Sequence, residues 1–333
     1  MLAMAAIGLA GCGSAPVGGG STATGGGSGD AGVSSFKVAL LTSGDINDQG
    51  WNQLGYEGLQ AVKQELGADI SNQVTKQEAD QQPALHDYAD QGYNLVICNG
   101  FEFGERVKAI APKYPKTMFL VNAGSVKQAP NVATLVPKLE ESTYLLGMIA
   151  GGMTKSNVIG AVGGEQAPEI KSTFDAFTEG AKAVNPNIKV LTAYVGNWDD
   201  SNKGKICAQQ IIAQRADFIF QNADQAGKGV FAAAQDAKNV YVIGSNRDQT
   251  AVAPDICLAS AVINMPKAFV DAAKSAKDGK FKPDFIEQNM PNGDITIAWN
   301  PALKSKIPAA LLAKEQAAEA QIVSGKLKIA RHV

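Results

Sequence analysis

Short apolar runs alternate with amphipathic helical patterns along most of this chain, and that alternation leaves few folds open. Val38-Ala39-Leu40-Leu41, Leu95 to Cys98, Met118 to Val121 and Val132 to Val136 read as buried strands. Helical spacing is found near 53–65, 80–91, 104–113 and 140–153, with Leu59, Val62 and Leu66 at i, i+3 and i+7 in the first. The pattern then repeats. Strands are expected at Val158 to Val162, Val190 to Val195, Phe218 to Phe220, Val240 to Ile243 and Ile256 to Val262, and helices near 170–184, 203–214, 227–237 and 265–278. An alternating strand, Ile295 to Trp299, and a helix through 323 close the chain. Such alternation requires parallel strands joined by right-handed crossovers, an α/β fold. About ten units exceed one comfortable sheet, so two lobes are expected, each a doubly wound parallel sheet. The expected division gives the first lobe 36–153 with 260–285 and the second 154–259 with 286–333; the first crossing is placed at Gly151 to Asn157.

The chain opens differently. Residues 1–12 are apolar and end in small side chains, too short a segment to span a bilayer. They read as the core of an export signal without its positively charged start. Leu9-Ala10-Gly11-Cys12 resembles a bacterial lipobox, which implies a lipid on Cys12 and a membrane anchor. Residues 13–35 are nearly all Gly, Ser, Ala and Thr. They cannot bury enough surface to fold, and act as a flexible tether with a reach of roughly 26 Å.

Composition removes several functions. A net charge of -2 gives no basic surface for nucleic acid. With two histidines, His86 and His332, a His-based triad or multi-His metal site has too few members. No cysteine pair has Cys-x-x-Cys spacing; a Cys207–Cys257 disulfide stays open, and Cys98 reads as an inert core residue. Gly227-Lys228-Gly229 lacks the spacing and the Ser/Thr of a phosphate loop, and there is no Gly-x-Ser-x-Gly. Asp199-Asp200 reads as a cap for the helix near 203 rather than a catalytic pair. No cofactor and no enzymatic chemistry are expected.

What stands at the strand ends is more informative. After successive strands come Gly44-Asp45, Asn99-Gly100-Phe101, Asn122-Ala123-Gly124, Gly163-Gly164-Glu165, Gly196-Asn197-Trp198-Asp199, Asn222-Ala223-Asp224 and Ser245-Asn246-Arg247-Asp248. In open parallel sheets ligands bind outside the carboxyl ends of the strands. The first strand leads into Asp48-Gln49-Gly50-Trp51-Asn52, which offers a carboxylate, amides and a flat ring. The local alternative is a helix cap, with Asn47 or Asp48 capping and Trp51 packed down. With two lobes facing each other these ends converge on one cleft. Asp48, Trp51, Asn52, Phe101, Asn122, Trp198, Asn222, Asp224, Asn246 and Asp248 are the expected ligand-binding residues.

Asp48-Gln49-Gly50-Trp51-Asn52 is similar to the Asp-x-x-Phe-Asn loop of the basic membrane protein family, the ABC-transporter substrate-binding lipoproteins of purine nucleoside receptor type. Tyr144-Leu145-Leu146-Gly147-Met148-Ile149-Ala150-Gly151, Thr154-Lys155, Val162-Gly163-Gly164, the run Tyr194 to Asp200, and Asp248-Gln249 extend the resemblance almost to the C-terminus. It implies a two-lobed type I periplasmic binding fold with a ligand between the lobes, an ABC permease partner, and an extracytoplasmic, lipid-anchored, monomeric receptor. Nucleoside-binding members carry aspartates at the positions of Asn122 and Asn246 and a lysine at that of Ile263. Their replacement here, with Trp198 and Asp224, points to a neutral purine-like base, a nucleoside coming second. The alternatives are a surface lipoprotein acting as adhesin or sensor, or a receptor for another small polar solute.

Overall fold

The computed structural model describes residues 35–332. The export signal, Cys12 and the tether through residue 34 lie outside the described residues. The first part of the chain forms β1 (Lys37–Thr42), α1 (Trp51–Leu66), β2 (Asp69–Val74), α2 (Glu78–Asp90), β3 (Leu95–Asn99), α3 (Gly104–Ile110), β4 (Met118–Asn122) and β5 (Val132–Pro137). The second forms α4 (Glu140–Met153), β6 (Val158–Gly163), α5 (Pro168–Val184), β7 (Lys189–Tyr194), α6 (Ser201–Ala213), β8 (Phe218–Asn222), α7 (Gly227–Ala237), β9 (Tyr241–Asn246) and β10 (Cys257–Ile263). The last contains α8 (Met265–Lys277), β11 (Phe285–Gln288), β12 (Ile295–Trp299), α9 (Pro301–Lys304) and α10 (Ala309–Val323).

Two six-stranded sheets result, ordered β11-β5-β4-β3-β1-β2 and β12-β10-β9-β8-β6-β7. All pairings are parallel except β10 with β12. The continuous apolar runs follow from this: Val38 to Leu41 and Leu95 to Cys98 are fully buried, because helices cover both faces of a parallel sheet. The edge strands β2 and β11 carry no such run. β2 reads Asp-Ile-Ser-Asn-Gln-Val and lies at a solvated edge; β11 is a four-residue edge strand, three of whose residues are exposed.

The chain passes between the sheets after β5, after β10 and after β11. Lys138 N–H donates to Gln288 O at 2.8 Å and Asn264 N–H to Asp294 O at 2.7 Å, tying the crossings together. The expected first crossing at Gly151 to Asn157 is displaced. It falls just after Pro137, because α4 packs along α5 beside the second sheet. The Tyr144 to Gly151 motif explains this packing. A Cβ on Gly147 would sit 2.1 Å from Phe177 O, and one on Gly180 1.9 Å from Tyr144 O, so only glycine lets these backbones meet. Thr154-Lys155-Ser156 is the turn from α4 into β6, held by Asp217, whose carboxylate accepts from Thr154 Oγ1 at 2.6 Å and Lys155 N at 2.7 Å.

Cys207 and Cys257 are free thiols. Cys207 lies against Tyr194 of β7, and Cys257 is in β10, four strands away. At ~4.8 Å per strand that is roughly 19 Å, well beyond disulfide reach.

Candidate functional site

The loop after β1 brings Asp48, Trp51 and Asn52 to a cleft of about 420 Å³ lined from both lobes. Asp48 answers the free amides at the start of α1. Its Oδ1 accepts from Gly50 N at 2.8 Å and Gln53 N at 3.1 Å; its Oδ2 accepts from Asn52 N and Asn52 Nδ2, both at 2.9 Å. This fixes the Asn52 amide. The opposite orientation would set its oxygen against a carboxylate, so nitrogen faces Asp48 and Oδ1 points elsewhere. Asn52 Oδ1 has no hydrogen-bond partner among the described residues. Trp51 Nε1 donates to Asn99 O at 3.0 Å, and Asn99 Nδ2 donates to Trp51 O at 3.2 Å, so the ring is braced from the end of β3.

Phe101, just beyond β3, lines the cleft with an exposed ring. Asn122 does not line it. Its side chain is fully buried, with Nδ2 donating to Asn99 Oδ1 at 2.8 Å and meeting Met265 Sδ at 3.4 Å. Its amide is taken up by Asn99, the residue that braces Trp51.

From the second lobe come Trp198, Asn222, Asp224 and Asn246. Val162-Gly163-Gly164 now has a reason: a Cβ on Gly164 would lie 2.2 Å from the Trp198 ring, so glycine lets the indole lie against the backbone. Asn197 Oδ1 accepts from Asp200 N at 2.8 Å, and Asp200 Oδ1 accepts from Lys203 N at 2.9 Å, so Asp200 caps α6. Asn222 Oδ1 accepts from Ser245 Oγ at 3.3 Å and Asn246 Nδ2 at 3.2 Å, which leaves its amide nitrogen for another acceptor.

Asp224 reaches across to the first lobe. Its Oδ1 accepts from Trp51 N at 3.1 Å, an approach that Gly50 permits, since a Cβ there would be 2.8 Å from that oxygen. Burial, then the charge of Asp48, pushes the Asp224 carboxyl up to about 8, against the lowering effect of the Trp51 N–H. Arg247 Nη2 to Glu57 Oε1 at 3.0 Å and Gln249 Nε2 to Gln49 O at 3.5 Å also join the lobes. Asp248 is outside the cleft: it is exposed, and its Oδ1 accepts from Thr250 N and Thr250 Oγ1 in its own turn.

The cleft contains residues that the strand ends did not single out. Glu102 follows Phe101 and Glu165 follows the two glycines, so the same rule reaches both. Glu140, Thr173 and Arg331 carry no such signal. Arg331 arrives from the C-terminal segment, where its Nη1 donates to Pro137 O at 3.0 Å and its Nε lies 3.8 Å from Glu140. His86 and His332 are tied elsewhere, to Tyr114 and Glu179. Among the described residues no cluster of three or more His, Cys, Asp or Glu is placed to hold a metal ion, and no helix is long and apolar enough to cross a membrane.

Comparison with known proteins agrees with this arrangement. The chain is 29% identical over 318 residues to the ABC transporter nucleoside-binding protein BmpA of Lactococcus lactis, covering 89% of each. It is 27% identical over 294 residues to a purine-binding protein of Brucella abortus, covering 87% of this chain and 82% of the relative. An ABC transporter solute-binding protein from Aeropyrum pernix superposes with a TM-score of 0.82 at 20% identity, over 89% of this chain and 93% of that one, and shares the fold. The Bmp pattern, described as ABC transporter substrate-binding protein PnrA-like, matches residues 35–284. Two lobes of parallel sheet, a cleft between the carboxyl ends of their strands, and this match together establish that the chain belongs to the Bmp family of ABC transporter substrate-binding proteins.

Proposed function

We propose that this protein is the extracytoplasmic receptor of an ABC importer and holds a purine-type nucleobase between its lobes, a nucleoside being the second reading. The observation that carries the ligand is the meeting of Trp51 and Trp198, from opposite lobes, on one cleft. A flat heterocycle stacks on such rings for about 0.5–1.5 kcal/mol beyond its buried area. Asn52 Oδ1 and the Asn222 amide nitrogen then address its edge as acceptor and donor. Ile263 lines the cleft with an apolar chain at the position of the family's lysine, and Asn122 is withdrawn from it; both favour a base over a nucleoside. The names of the Lactococcus and Brucella relatives support the purine class.

In this reading ligand draws the lobes together by hinge motion about the three crossings, and the closed form is presented to the permease. The protein acts as a monomer, held to the membrane by a lipid on Cys12. Titration calorimetry with adenine, guanine, hypoxanthine and their nucleosides is the test. Micromolar binding of at least one is expected, with a smaller radius of gyration in solution scattering. Heat from a sugar or amino acid alone would overturn the purine reading.

A further inference from the structure

We propose that the molecule held in this cleft carries a positive charge, seated between Glu102 of the first lobe and Glu165 of the second, beside the Trp51, Phe101 and Trp198 rings. This rests on the reading of the cleft as a site for a planar nitrogen heterocycle, and departs from it in charge.

Eight of the residues lining the cleft are acidic, and two, Lys76 and Arg331, are basic. Half of the acids are already answered within the protein. Asp48 accepts four N–H groups, Glu78 pairs with Arg106 at 2.6 Å, Glu140 lies 3.8 Å from Arg331, and Asp224 accepts from Trp51 N. Glu102, Glu165, Glu169 and Asp199 remain, and none of them forms an ion pair among the described residues.

Glu102 and Glu165 follow β3 and β6, strands of different sheets. Closure therefore brings like charges together. Burial, partly offset by the Ser43 hydroxyl, raises the Glu102 carboxyl above its ordinary range; the charge of Glu165 raises it further and that of Arg106, whose guanidinium donates to the Glu102 carbonyl, lowers it. A cation between them turns this repulsion into attraction at the moment of closing.

Three buried groups that line the cleft, Asn52, Gln81 and Glu140, have an oxygen without a partner among the described residues and ask for a donor-rich ligand. Asn52 is 6% exposed and lines the cleft with an unpartnered Oδ1, its nitrogen held by Asp48. Glu140 is 2% exposed; Arg331 answers only its Oε1, and its Oε2 has no partner among the described residues. The three rings select the same charge, since aromatic faces attract cations. A neutral base would satisfy the rings and leave the carboxylates unmatched.

The test uses matched pairs that differ in charge: adenosine against its N1-methylated cation, and nicotinamide against the N1-methylnicotinamide cation, each titrated calorimetrically into the protein. The cation of at least one pair is expected to bind tenfold or more tighter than its neutral partner, and to weaken as salt rises. Glu102→Gln with Glu165→Gln is expected to remove that preference, bringing the affinities of each cation and its neutral partner within twofold of each other. If this double variant fails to fold, the wild-type comparison and its salt dependence decide. Neutral purines binding as tightly as the cations would overturn the charge inference and leave the purine reading intact. Binding of only the nicotinamide cation, abolished by the double variant, would support the charge inference and overturn the purine reading. Binding of neither pair, alongside binding of a neutral sugar or amino acid, would overturn both.

Discussion

The two lobes are built to one plan and differ in the hydrogen-bonding groups that they leave free. Both sheets run in the same sense: from the late edge strand through two neighbours to the third, first and second strands of the lobe. Equivalent loops therefore face each other across the cleft. In the first lobe the loop after β1 ends in a helix N-terminus whose amides are answered by Asp48, leaving an acceptor, Asn52 Oδ1. In the second, Asn222 keeps a donor, and Asp224 crosses over to that same helix start. Repeating the architecture repeats where loops emerge; it does not repeat what they carry. The site exists only where the two complement each other.

Five substitutions break or sharpen this contrast, beginning with the largest effect. Asp48→Ala removes the acceptor of four N–H groups at the start of α1 and frees the Asn52 amide to turn. A loss of about 3 kcal/mol in chemical denaturation is expected, with loss of ligand binding. A change below about 0.5 kcal/mol would mean that solvent replaces Asp48 fully.

Trp51→Ala and Trp198→Ala test whether each lobe supplies a stacking face. Each should weaken binding at least tenfold, about 1.4 kcal/mol. Loss at one ring only, with the other variant binding normally, would make the second lobe a wall rather than a partner. Tryptophan fluorescence quenched by ligand in wild type, and less so in each variant, is the companion readout.

Asp224 makes the meeting of the lobes sensitive to pH. Its carboxyl, near 8 when folded against an ordinary 3.8, holds a proton that the unfolded chain releases between those values. Stability must therefore fall as pH rises through that interval. Asp224→Asn still accepts from the Trp51 N–H but cannot ionise. Its advantage over wild type should grow by about 1.4 kcal/mol for each pH unit within that interval, read in thermal melts. Parallel pH profiles for the two proteins would contradict the assignment.

Arg247→Ala should matter least. The Arg247–Glu57 pair joins the lobes at a partly exposed position, where such pairs contribute about 0.5 kcal/mol or less. Binding measured at low salt should change by less than about threefold, and the difference should vanish at high salt.

Much of this was legible along the chain because it is local. Parallel strands covered on both faces must be apolar throughout, so Val38 to Leu41 and Leu95 to Cys98 announce themselves. The small, amide and aromatic residues that end those strands mark the rim of the cleft for the same reason, and eight of the ten expected residues line it. Edge strands escape this logic: β2 is paired on one side only and solvated, so it needs no apolar run.

What the chain could not announce depends on residues distant in sequence. Asn122 ends its strand as the others do, yet it is fully buried and its amide is spent on Asn99. Arg331 enters the cleft because the C-terminal segment returns beside Pro137, a contact spanning most of the chain. Glu102 and Glu165 each follow a strand of a different lobe and share one cleft only because the lobes face each other. Sequence by itself determined the buried strands, the helices and the end of the sheets at which the cleft opens, since hydrophobic period and strand ends act over a few residues. Tertiary structure alone decided which polar groups face the cleft and with what net charge, because burial and Coulomb interaction depend on distances that no local pattern encodes.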